Sequence, residues 1–443
     1  MTTTTDDIRT YPAYKPSGVE WLGDIPEHWV VKNANYIFTT INKRSIKGRE
    51  VLLTVSEHHG VKLRSESNVN MFMAESYEGY KMCCKGDLVI NSLWAWSRGL
   101  GFSNYDGIVS TAYSVYRPDK IEVDSDYLNY LLRTDLYVSR YLIASKGIWI
   151  SRLQLSDWSF LRMPVLLPPF SEQTVIAQFL DSKTALIDKA IALKETQIAL
   201  LKEHRQAEID QAATKGLNPD VQMKDSGVDW IGKIPAHWEM KKAKFTFKKI
   251  EQGWSPQCDN YVAEIDEWGV LKVGCVNGFD FNPFENKVLP TDLKPRLEYQ
   301  IKQGDILISR ANTIDLVGSA AFVKEVKHRL LLCDKLYRVH IIKEKIDPEF
   351  YIFLLKTSYA RSHIEIHASG ASPTMQNIGQ DCIKNMLLFL PDIEEQKNIV
   401  SYLKRLVKKI SVSISLKEKE IEKIKEYKES LINSSVTGKI KIA

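Results

Sequence analysis

Two pairs of polar loops carry the side chains best suited to hydrogen-bond the edges of nucleic-acid bases. Arginine matches the two acceptors of guanine, and asparagine or glutamine matches the donor and acceptor of adenine; each bidentate contact is worth about 1–3 kcal/mol of discrimination. The loops are "SLWAWSRGLG" and "SKGIWISRLQLSD" in the first half of the chain, and "SRANTIDLVGS" and "ASGASPTMQNIGQD" in the second. The candidate contact residues are Trp94, Trp96, Arg98, Lys146, Arg152, Gln154, Arg310, Asn312, Thr313, Thr374, Gln376 and Asn377.

Two basic runs lie upstream of these loops. The first, "TINKRSIKGR", contains no acidic residue, and the second, "KKAKFTFKKIEQGWSP", contains one. Such runs suit contacts with phosphates, which supply salt-dependent affinity but little sequence preference. The alternative is an ordinary solvated basic surface. The candidate phosphate-contacting residues are Lys43, Arg44, Lys47, Arg49, Lys248 and Lys249.

The sequence contains no convincing catalytic constellation. It has no G-x-x-x-x-G-K-[ST] phosphate loop, no nucleophile elbow, and no cysteine or histidine spacing typical of a zinc site. "FNPFENK" lacks the second proline of an adenine methyltransferase clamp, and "PDIEEQK" falls where a helix begins, so that the helix dipole explains its acidic residues. We therefore expect no catalytic residue, no metal site and no bound cofactor in this chain.

The elements that position the loops occur twice. "SGVEWLGDIPEHW" from Ser17 recurs as "SGVDWIGKIPAHW" from Ser226, with nine of thirteen positions identical. "LPPFSEQTVIAQFL" from Leu167 recurs as "LPDIEEQKNIVSYL" from Leu390, and "KGDLVINS" and "YLLRT" recur in the same order between them. Units of this size are far longer than solenoid repeats. The pattern indicates a duplicated domain.

Each copy ends in a predicted helix of roughly 40 residues, on the order of 60 Å long. Both segments follow a proline, lack glycine and proline, and stop near Gly216 or Gly438. Apolar residues recur at heptad-like steps, which is typical of a coiled-coil seam. We expect the two helices to pair in antiparallel orientation; the alternative is that each packs on its own globular region. The predicted seam residues are Leu180, Ile187, Ile191, Ile198, Leu201, Leu403, Ile410, Ile414, Ile421 and Ile424.

The repeated Trp-rich phrase belongs to the end of each helix. Its second copy follows the first helix directly, and its first copy would follow the second helix if the chain were closed into a circle. The Trp, Ile-Pro and His-Trp groups are expected to pack the connecting segment against helix and domain. We favour the same structural role for His28 and His237 over a role as metal ligands or bases.

The remaining segments mix short strand-like runs with short helices, which indicates an α+β fold rather than βαβ alternation. We predict two globular domains separated by two long antiparallel coiled-coil helices, with a pseudo-two-fold internal repeat. The predicted boundaries are 1–29 for an N-terminal clasp segment, 30–167 for the first globular domain, 168–238 for the first helix and its clasp, 239–389 for the second globular domain and 390–443 for the second helix.

Composition places limits on the class of protein. The 443 residues are 44% apolar and 26% charged, as in globular proteins, and no run is apolar enough to cross a membrane. The net charge of +5 permits a nucleic-acid partner without requiring one. Six cysteines without a disulfide framework favour reduced thiols, and we expect a cytoplasmic protein without a membrane partner.

Taken together, the paired Trp phrases, "GDILISRANT" and "LPPFSEQTVIAQFLD" resemble the specificity subunit of type I restriction-modification systems over nearly the whole chain. The resemblance implies a non-catalytic subunit that recognises a two-part target in double-stranded DNA. It also implies that the globular domains 30–167 and 239–389 are target-recognition domains, each recognising one part. It also implies two methyltransferase subunits and motor-nuclease subunits as partners, with S-adenosylmethionine, ATP and Mg²⁺ bound by those partners.

Two other functions stay open. An adenine-specific DNA methyltransferase-like enzyme would bind S-adenosylmethionine as a purified chain. A coiled-coil scaffold that does not bind DNA would fail to retard any duplex at any salt concentration.

Overall fold

The computed structural model describes residues 10–57, 60–67, 76–119, 121–147, 153–228, 231–326, 328–372 and 374–442. The chain divides into two compact units. Unit 1 comprises residues 1–194 with 418–443, and unit 2 comprises residues 195–417. Both boundaries fall inside long helices, so each unit contains part of each long helix.

In its described residues, unit 1 is built mainly from short antiparallel strands and three short helices. They are β1 (Tyr14–Pro16), β2 (Asp24–Pro26), β3 (Val30–Asn33), β4 (Phe38–Thr40), β5 (Leu53–Ser56), β6 (Gly60–Leu63), β7 (Lys81–Cys83), β8 (Leu88–Asn91), β9 (Leu100–Phe102), β10 (Gly107–Val109), β11 (Tyr113–Pro118), α1 (Ser125–Leu132), α2 (Asp135–Ala144), α3 (Asp157–Leu161) and β12 (Pro164–Leu167). The long helix α4 follows (Phe170–Lys215).

Unit 2 repeats this order with additional strands. Its elements are β13 (Met223–Asp225), β14 (Lys233–Pro235), β15 (Glu239–Lys242), β16 (Phe247–Gln252), β17 (Trp268–Leu271), β18 (Asn286–Val288), β19 (Ile306–Ser309), β20 (Ala311–Asn312), β21 (Ala320–Phe322), β22 (Arg329–Leu331), β23 (Leu336–Ile341), α5 (Pro348–Lys356), α6 (Ser358–His367), β24 (Ser369–Ser372), β25 (Met375–Asn377), α7 (Gln380–Asn385) and β26 (Leu387–Leu390). The second long helix is α8 (Ile393–Val436).

A four-stranded antiparallel sheet has the same strand order in both units, β4-β11-β8-β9 in unit 1 and β16-β23-β19-β21 in unit 2. The repeated Gly-Asp before the inner strand explains part of this likeness. Asp87 binds the guanidinium of Arg117 on β11 at 2.8 and 2.9 Å, and Asp305 binds Arg338 on β23 at 3.3 Å. Each pair ties the start of an inner strand to its neighbour. The antiparallel sheets and short helices of both units confirm the mixed α+β fold expected from the sequence.

Short helices beside each sheet begin at a capping aspartate. The side chain of Asp124 accepts hydrogen bonds from the first backbone N–H groups of α1, and Asp347 does the same for α5. Such caps satisfy donors that a helix start leaves without partners. The apolar faces of α1 and α5 then pack into the main core of their own unit.

The long helices begin and end where the sequence predicts. Prolines precede both of them, and Gly216 and Gly438 follow them with φ of +79° and +73°, a left-handed backbone that favours glycine. Six of the ten predicted seam residues are buried, and the other four are half-buried.

Polar contacts within each unit show that the helices run antiparallel. In unit 1, Asp188 binds Lys428, and Lys194, further along α4, binds Glu420, which lies earlier in α8. In unit 2, Gln197 accepts a hydrogen bond from Lys417, and Glu208 accepts one from Tyr402. Partner numbers fall on α8 as they rise on α4, so the predicted antiparallel pairing is confirmed within each unit.

The repeated Trp phrase packs against the end of a long helix in both units. Trp29 lies against Gly438 after α8, and Trp238 lies against Gly216 after α4. Both indole rings belong to fully buried side chains. The N-terminal phrase therefore closes on the last helix of the chain, as the circular arrangement of the repeat predicts.

The histidines of the phrase bind the start of the other long helix. Nε2 of His28 lies 2.8 Å from Glu172 of α4, and Nε2 of His237 lies 2.8 Å from Glu395 of α8. Each phrase thus bridges the end of one helix and the beginning of the other within a unit. This contact agrees with the structural role expected for both histidines.

Candidate nucleic-acid interface

In unit 2 the two predicted contact loops lie side by side. The backbone N–H of Ile378 donates to the carbonyl of Arg310 at 3.0 Å. Strand β20 pairs with β25, so Asn312 lies opposite Gln376 in the antiparallel register. Residues that are more than 60 positions apart in the sequence therefore form one polar surface at the end of β19.

Local hydrogen bonds set the orientation of the amide side chains on this surface. Nδ2 of Asn312 donates to Asn277 at 3.1 Å, and Nε2 of Gln376 donates to the carbonyl of Ser372 at 2.8 Å. The Asn312 carbonyl oxygen accepts the backbone N–H of Thr313. These bonds use part of the capacity of each amide, which leaves further donor and acceptor positions for a bound base.

Arg310 is held at the root of the same surface. Its guanidinium is half-buried and donates to the carbonyl of Asp334 at 3.5 Å. Burial raises the pKa of the neighbouring Tyr337, and Arg310 opposes that rise. The Tyr337 hydroxyl donates to the carbonyl of Ile378, so it fixes the junction of the two loops. Arg310 has five N–H donors, and its contacts with the Asp334 carbonyl and with Tyr337 use only part of them.

The hairpin that carries Gln376 also presents Thr374 and Asn377. The hydroxyl of Thr374 is exposed and lies 2.8 Å from that of Ser372, whereas Asn377 is half-buried and pairs with Ala311. The structure therefore gathers the second-half candidates other than the lysines on one surface.

Unit 1 has the same backbone junction with different side chains. The N–H of Leu155 donates to the carbonyl of Ser92 at 2.9 Å, the positions equivalent to Ile378 and Arg310 in the repeat. Lys146 and Gln154 exchange two backbone hydrogen bonds of 3.1 and 3.0 Å, which closes the second loop. Both side chains are exposed, and Arg152 lies outside the described residues.

Two tryptophans dominate the first loop of unit 1. The rings of Trp94 and Trp96 stack with centroids 5.9 Å apart and an interplanar angle of 15°. Nε1 of Trp96 donates to the carbonyl of Leu93, which fixes the inner ring. Trp94 is 53% exposed, so the pair presents a flat apolar face to solvent.

Arg98 is engaged by carboxylates of its own unit. Its guanidinium binds Asp135 at the start of α2 and lies 3.5 Å from Glu429 of α8. The residue adopts a left-handed backbone with φ of 56°. These contacts hold the tryptophan loop against the helices, a structural role that the sequence did not indicate.

The first basic run forms an exposed patch in unit 1. A surface pocket of about 420 Å³ is lined by Lys43, Arg44, Lys47 and Arg49, together with Ile46, Glu50 and Met82. The hydroxyl of Ser45 binds Glu50 and lowers the pKa of that carboxyl. The patch therefore combines four cations with one ionised carboxylate that is already hydrogen-bonded.

The second basic run lies on β16, where the two lysines differ. Lys248 is exposed, whereas Lys249 forms an ion pair with Glu251. Burial raises the pKa of Glu251, but Lys249, His340 and Arg338 overcome that effect and lower the pKa to about 2. Lys249 thus belongs to a charged network of the sheet, and Lys248 is the freer of the two for a phosphate.

The glutamine of each Glu-Gln pair has a structural role that the sequence analysis does not assign to it. In α4, Gln173 accepts the N–H of Asp124 and donates to the carbonyls of Glu122 and Pro168. In α8, Gln396 makes the equivalent three bonds. Both side chains are buried, so they fasten each long helix to the cap of the neighbouring short helix. The signal was present in the repeated Pro-x-x-x-Glu-Gln motif.

Within the described parts of the chain, no helix combines the length and apolarity needed to span a bilayer.

Known proteins share both sequence and fold with this chain. Residues 270–426 match the family model described as the type I restriction modification DNA specificity domain. The specificity subunit of the EcoEI type I restriction enzyme of Escherichia coli is 28% identical over 176 residues, which cover 40% of this chain and 30% of that protein. The specificity subunit of the MjaVIII type I restriction enzyme of Methanocaldococcus jannaschii is 29% identical over 364 residues, covering 79% and 78%.

A solved structure has a similar fold along almost the whole chain. It comes from work on complex assembly and conformational transition of the type I restriction-modification system, and it aligns with a TM-score of 0.69 at 15% identity. The alignment covers 93% of this chain and 98% of the solved one. The chain is therefore similar in sequence to specificity subunits of type I restriction enzymes, and its residues 270–426 match the type I restriction modification DNA specificity domain.

Proposed function

We propose that this chain recognises the DNA target of a type I restriction-modification complex, with each unit recognising one part of a two-part sequence. The backbone junction of the contact loops carries the proposal. Leu155 with Ser92 in unit 1 and Ile378 with Arg310 in unit 2 form the same hydrogen bond, yet the side chains around the junctions differ. A shared frame with different polar surfaces suits the recognition of two different half-sites.

Unit 2 has the chemistry for direct recognition of bases in the major groove. Asn312 and Gln376 lie opposite each other on paired strands, and each amide can bind adenine through two hydrogen bonds. Arg310 can bind guanine in the same way. A narrow pair of strands is one of the elements that the major groove accommodates. Thr374 and Asn377 extend the same surface.

Unit 1 supports a more apolar mode of contact. The exposed face of Trp94 can pack on thymine methyl groups or on an unstacked base, and Lys146 and Gln154 present polar groups from the adjoining loop. The four cations of the Lys43–Arg49 patch can neutralise phosphates, so binding by this unit should weaken as salt rises.

We propose that partner subunits carry out the catalytic steps, because the sequence of this chain contains no convincing catalytic constellation. Two methyltransferase subunits and motor-nuclease subunits would supply catalysis, and they would bind S-adenosylmethionine, ATP and Mg²⁺. The relatives are named as specificity subunits of type I restriction enzymes, which supports this division of labour. We propose a cytoplasmic site of action because the DNA lies there.

Methylation mapping tests the proposal directly. Cells that express this chain together with its methyltransferase subunit should acquire methylated adenine in one motif, made of two specified parts with an unspecified gap. Cells with the methyltransferase subunit alone are the control and should lack that motif. Methylation that does not depend on this chain, or a single uninterrupted motif, would contradict the proposal.

A further inference from the structure

Three side chains of unit 2 form a cluster of soft metal ligands. His363 and His367 lie four residues apart on α6 and therefore on one face of the helix, and Cys382 lies on α7. One ring nitrogen of each histidine and Sγ of Cys382 all lie within 4.8 Å of one another. The sequence spacing gave no sign of this cluster, because 14 residues that include a hairpin separate His367 from Cys382.

Backbone carbonyls orient both imidazole rings. Nε2 of His363 lies 3.0 Å from the carbonyl of Cys382, and Nδ1 of His367 lies 2.8 Å from the carbonyl of His363. A carbonyl only accepts, so the contacting nitrogen of each ring carries the proton and the other nitrogen carries the lone pair. Histidines that bind metal ions commonly donate their second N–H to a carbonyl in this way.

The exposure of the cluster suits an ion that enters from solvent. Cys382 is 5% exposed, His363 is half-buried and His367 is exposed. The rings stack with centroids 4.3 Å apart. Zinc binds nitrogen at about 2.0–2.1 Å and thiolate at about 2.3 Å, so its ligand atoms lie roughly 3.3–3.7 Å apart. We expect the exposed His367 side chain to make the small adjustment that this spacing requires.

The donor set determines the kind of ion. Thiolate and imidazole favour zinc and related transition metals, whereas Mg²⁺ and Ca²⁺ require oxygen ligands. Three protein ligands leave a fourth tetrahedral position for water.

The cluster lies at the base of the hairpin that carries Thr374 and Gln376. Helix α6 ends at His367, the paired strands β24 (Ser369–Ser372) and β25 (Met375–Asn377) follow, and α7 begins at Gln380. An ion bound to ligands on both helices would tie the two ends of this segment together. Such a link lowers the number of conformations open to the segment before it meets a partner.

The equivalent helices of unit 1 lack the ligands. Helices α2 and α6 have the same length and align at an offset of 223 residues, which places Arg140, Ala144 and Ser159 at the three positions. None of these side chains is a soft metal ligand. The positions of unit 1 that are equivalent to the cluster therefore lack its ligands, so the cluster is not part of the duplicated frame.

We propose that His363, His367 and Cys382 bind one Zn²⁺ ion, which links α6 to α7 beneath the β24–β25 hairpin. The link is a structural clip, and it does not depend on which molecule the hairpin contacts.

Cobalt titration of the full-length chain tests the proposal, because a cysteine thiolate bound to Co²⁺ gives a near-ultraviolet charge-transfer band. The metal-free wild type should bind one equivalent of Co²⁺ with this band, and Zn²⁺ should abolish it by displacement. Cys382→Ser should remove the band, whereas Cys84→Ser, which alters an exposed thiol outside the cluster, should keep it. His367→Ala should weaken binding at least tenfold, and His204→Ala, an exposed helix histidine elsewhere, should have no effect.

Amide hydrogen exchange measures the clip itself. Zn²⁺ should slow amide exchange of β24 (Ser369–Ser372) and β25 (Met375–Asn377) in the wild type and not in His367→Ala. If Cys382→Ser fails to fold, His367→Ala decides the outcome, because that side chain is exposed. The proposal is overturned if the wild type gives no band, if the band survives Cys382→Ser or is lost equally in Cys84→Ser, or if bound Zn²⁺ leaves hairpin exchange unchanged.

Discussion

At the scale of single residues, Arg310 and Lys248 represent the two kinds of proposed DNA contact. Arg310 lies half-buried at a loop junction that orients it, which suits a base. Lys248 lies exposed on a strand, which suits a phosphate. The two roles differ in what their loss does to binding, since only a base contact carries sequence information.

Replacing Arg310 by alanine should weaken binding of the preferred duplex by about 1–3 kcal/mol and relax specificity at one base pair, since one bidentate contact is lost. Lys248→Ala should weaken all duplexes similarly and reduce the dependence of log Kd on log salt by about one. Fluorescence anisotropy with a panel of single-base variants at several salt concentrations distinguishes the two. Uniform weakening by Arg310→Ala would instead make it a phosphate contact.

Gln396 shows how one buried amide can hold a helix start. It satisfies the N–H of Asp347 and two carbonyls. Gln396→Leu keeps the volume but leaves these groups without partners, so the free energy of unfolding should fall by about 1–3 kcal/mol. Urea titration followed by tryptophan fluorescence measures the loss. The exposed Gln178→Leu is the matched control and should change stability by less than about 0.5 kcal/mol. Equal effects would remove the assigned role.

At the scale of elements, the end of each long helix is determined by its contact with the Trp phrase. A Cβ on Gly438 would lie 2.5 Å from the ring of Pro26 and 3.1 Å from the ring of Trp29. Gly18 in the same phrase has almost the same φ, +74°, but nothing within 4 Å of its Cβ position. The two glycines therefore separate backbone strain from packing.

Gly438→Ala should destabilise the protein by about 1–3 kcal/mol more than Gly18→Ala, because only Gly438 adds overpacking to the left-handed backbone. Thermal unfolding monitored by near-ultraviolet circular dichroism compares the two variants. If both variants lose the same stability, then the Trp phrase does not define the helix end.

Hydrophobic periodicity and the internal repeat predicted the long helices better than they predicted the arrangement of the contact loops. The long helices, their ends and their antiparallel pairing followed from heptad spacing, bounding prolines and glycines, and the matched seams. The loops that carry Arg310 and Gln376 were also found, because a repeat shows which segments differ between copies. Their pairing as β20 and β25 was not predicted, since strands of two or three residues carry no detectable period.

Contacts between distant residues account for what the sequence did not predict. Arg98 meets Asp135 and Glu429 only after the chain has folded, so its type suggested a base contact while its surroundings supply carboxylates. His367 and Cys382 come together because a hairpin returns the chain between α6 and α7. Residues that meet only through the fold have no characteristic sequence separation, so a sequence motif cannot reveal either contact.

At the scale of the whole molecule, duplication separates what is shared from what is specific. The sheet order, the Glu-Gln helix starts, the Trp phrases and the loop junctions recur in both units. The stacked tryptophans occur in unit 1, whereas the facing amides of Asn312 and Gln376 and the His-Cys cluster occur in unit 2. We infer that the loop side chains that differ between the units recognise the two half-sites, and that the shared frame only carries them.

The most direct measurement is the methylation motif of a chimera in which residues 30–167 are replaced by the same region of another specificity subunit. The long helices and Trp phrases stay intact in this chimera, and it is expressed with the same methyltransferase subunit as the wild type. The account predicts that one half of the motif changes to that of the donor. The other half should keep its sequence, and the same adenine within it should be methylated. A change in both halves, or in neither, would contradict it.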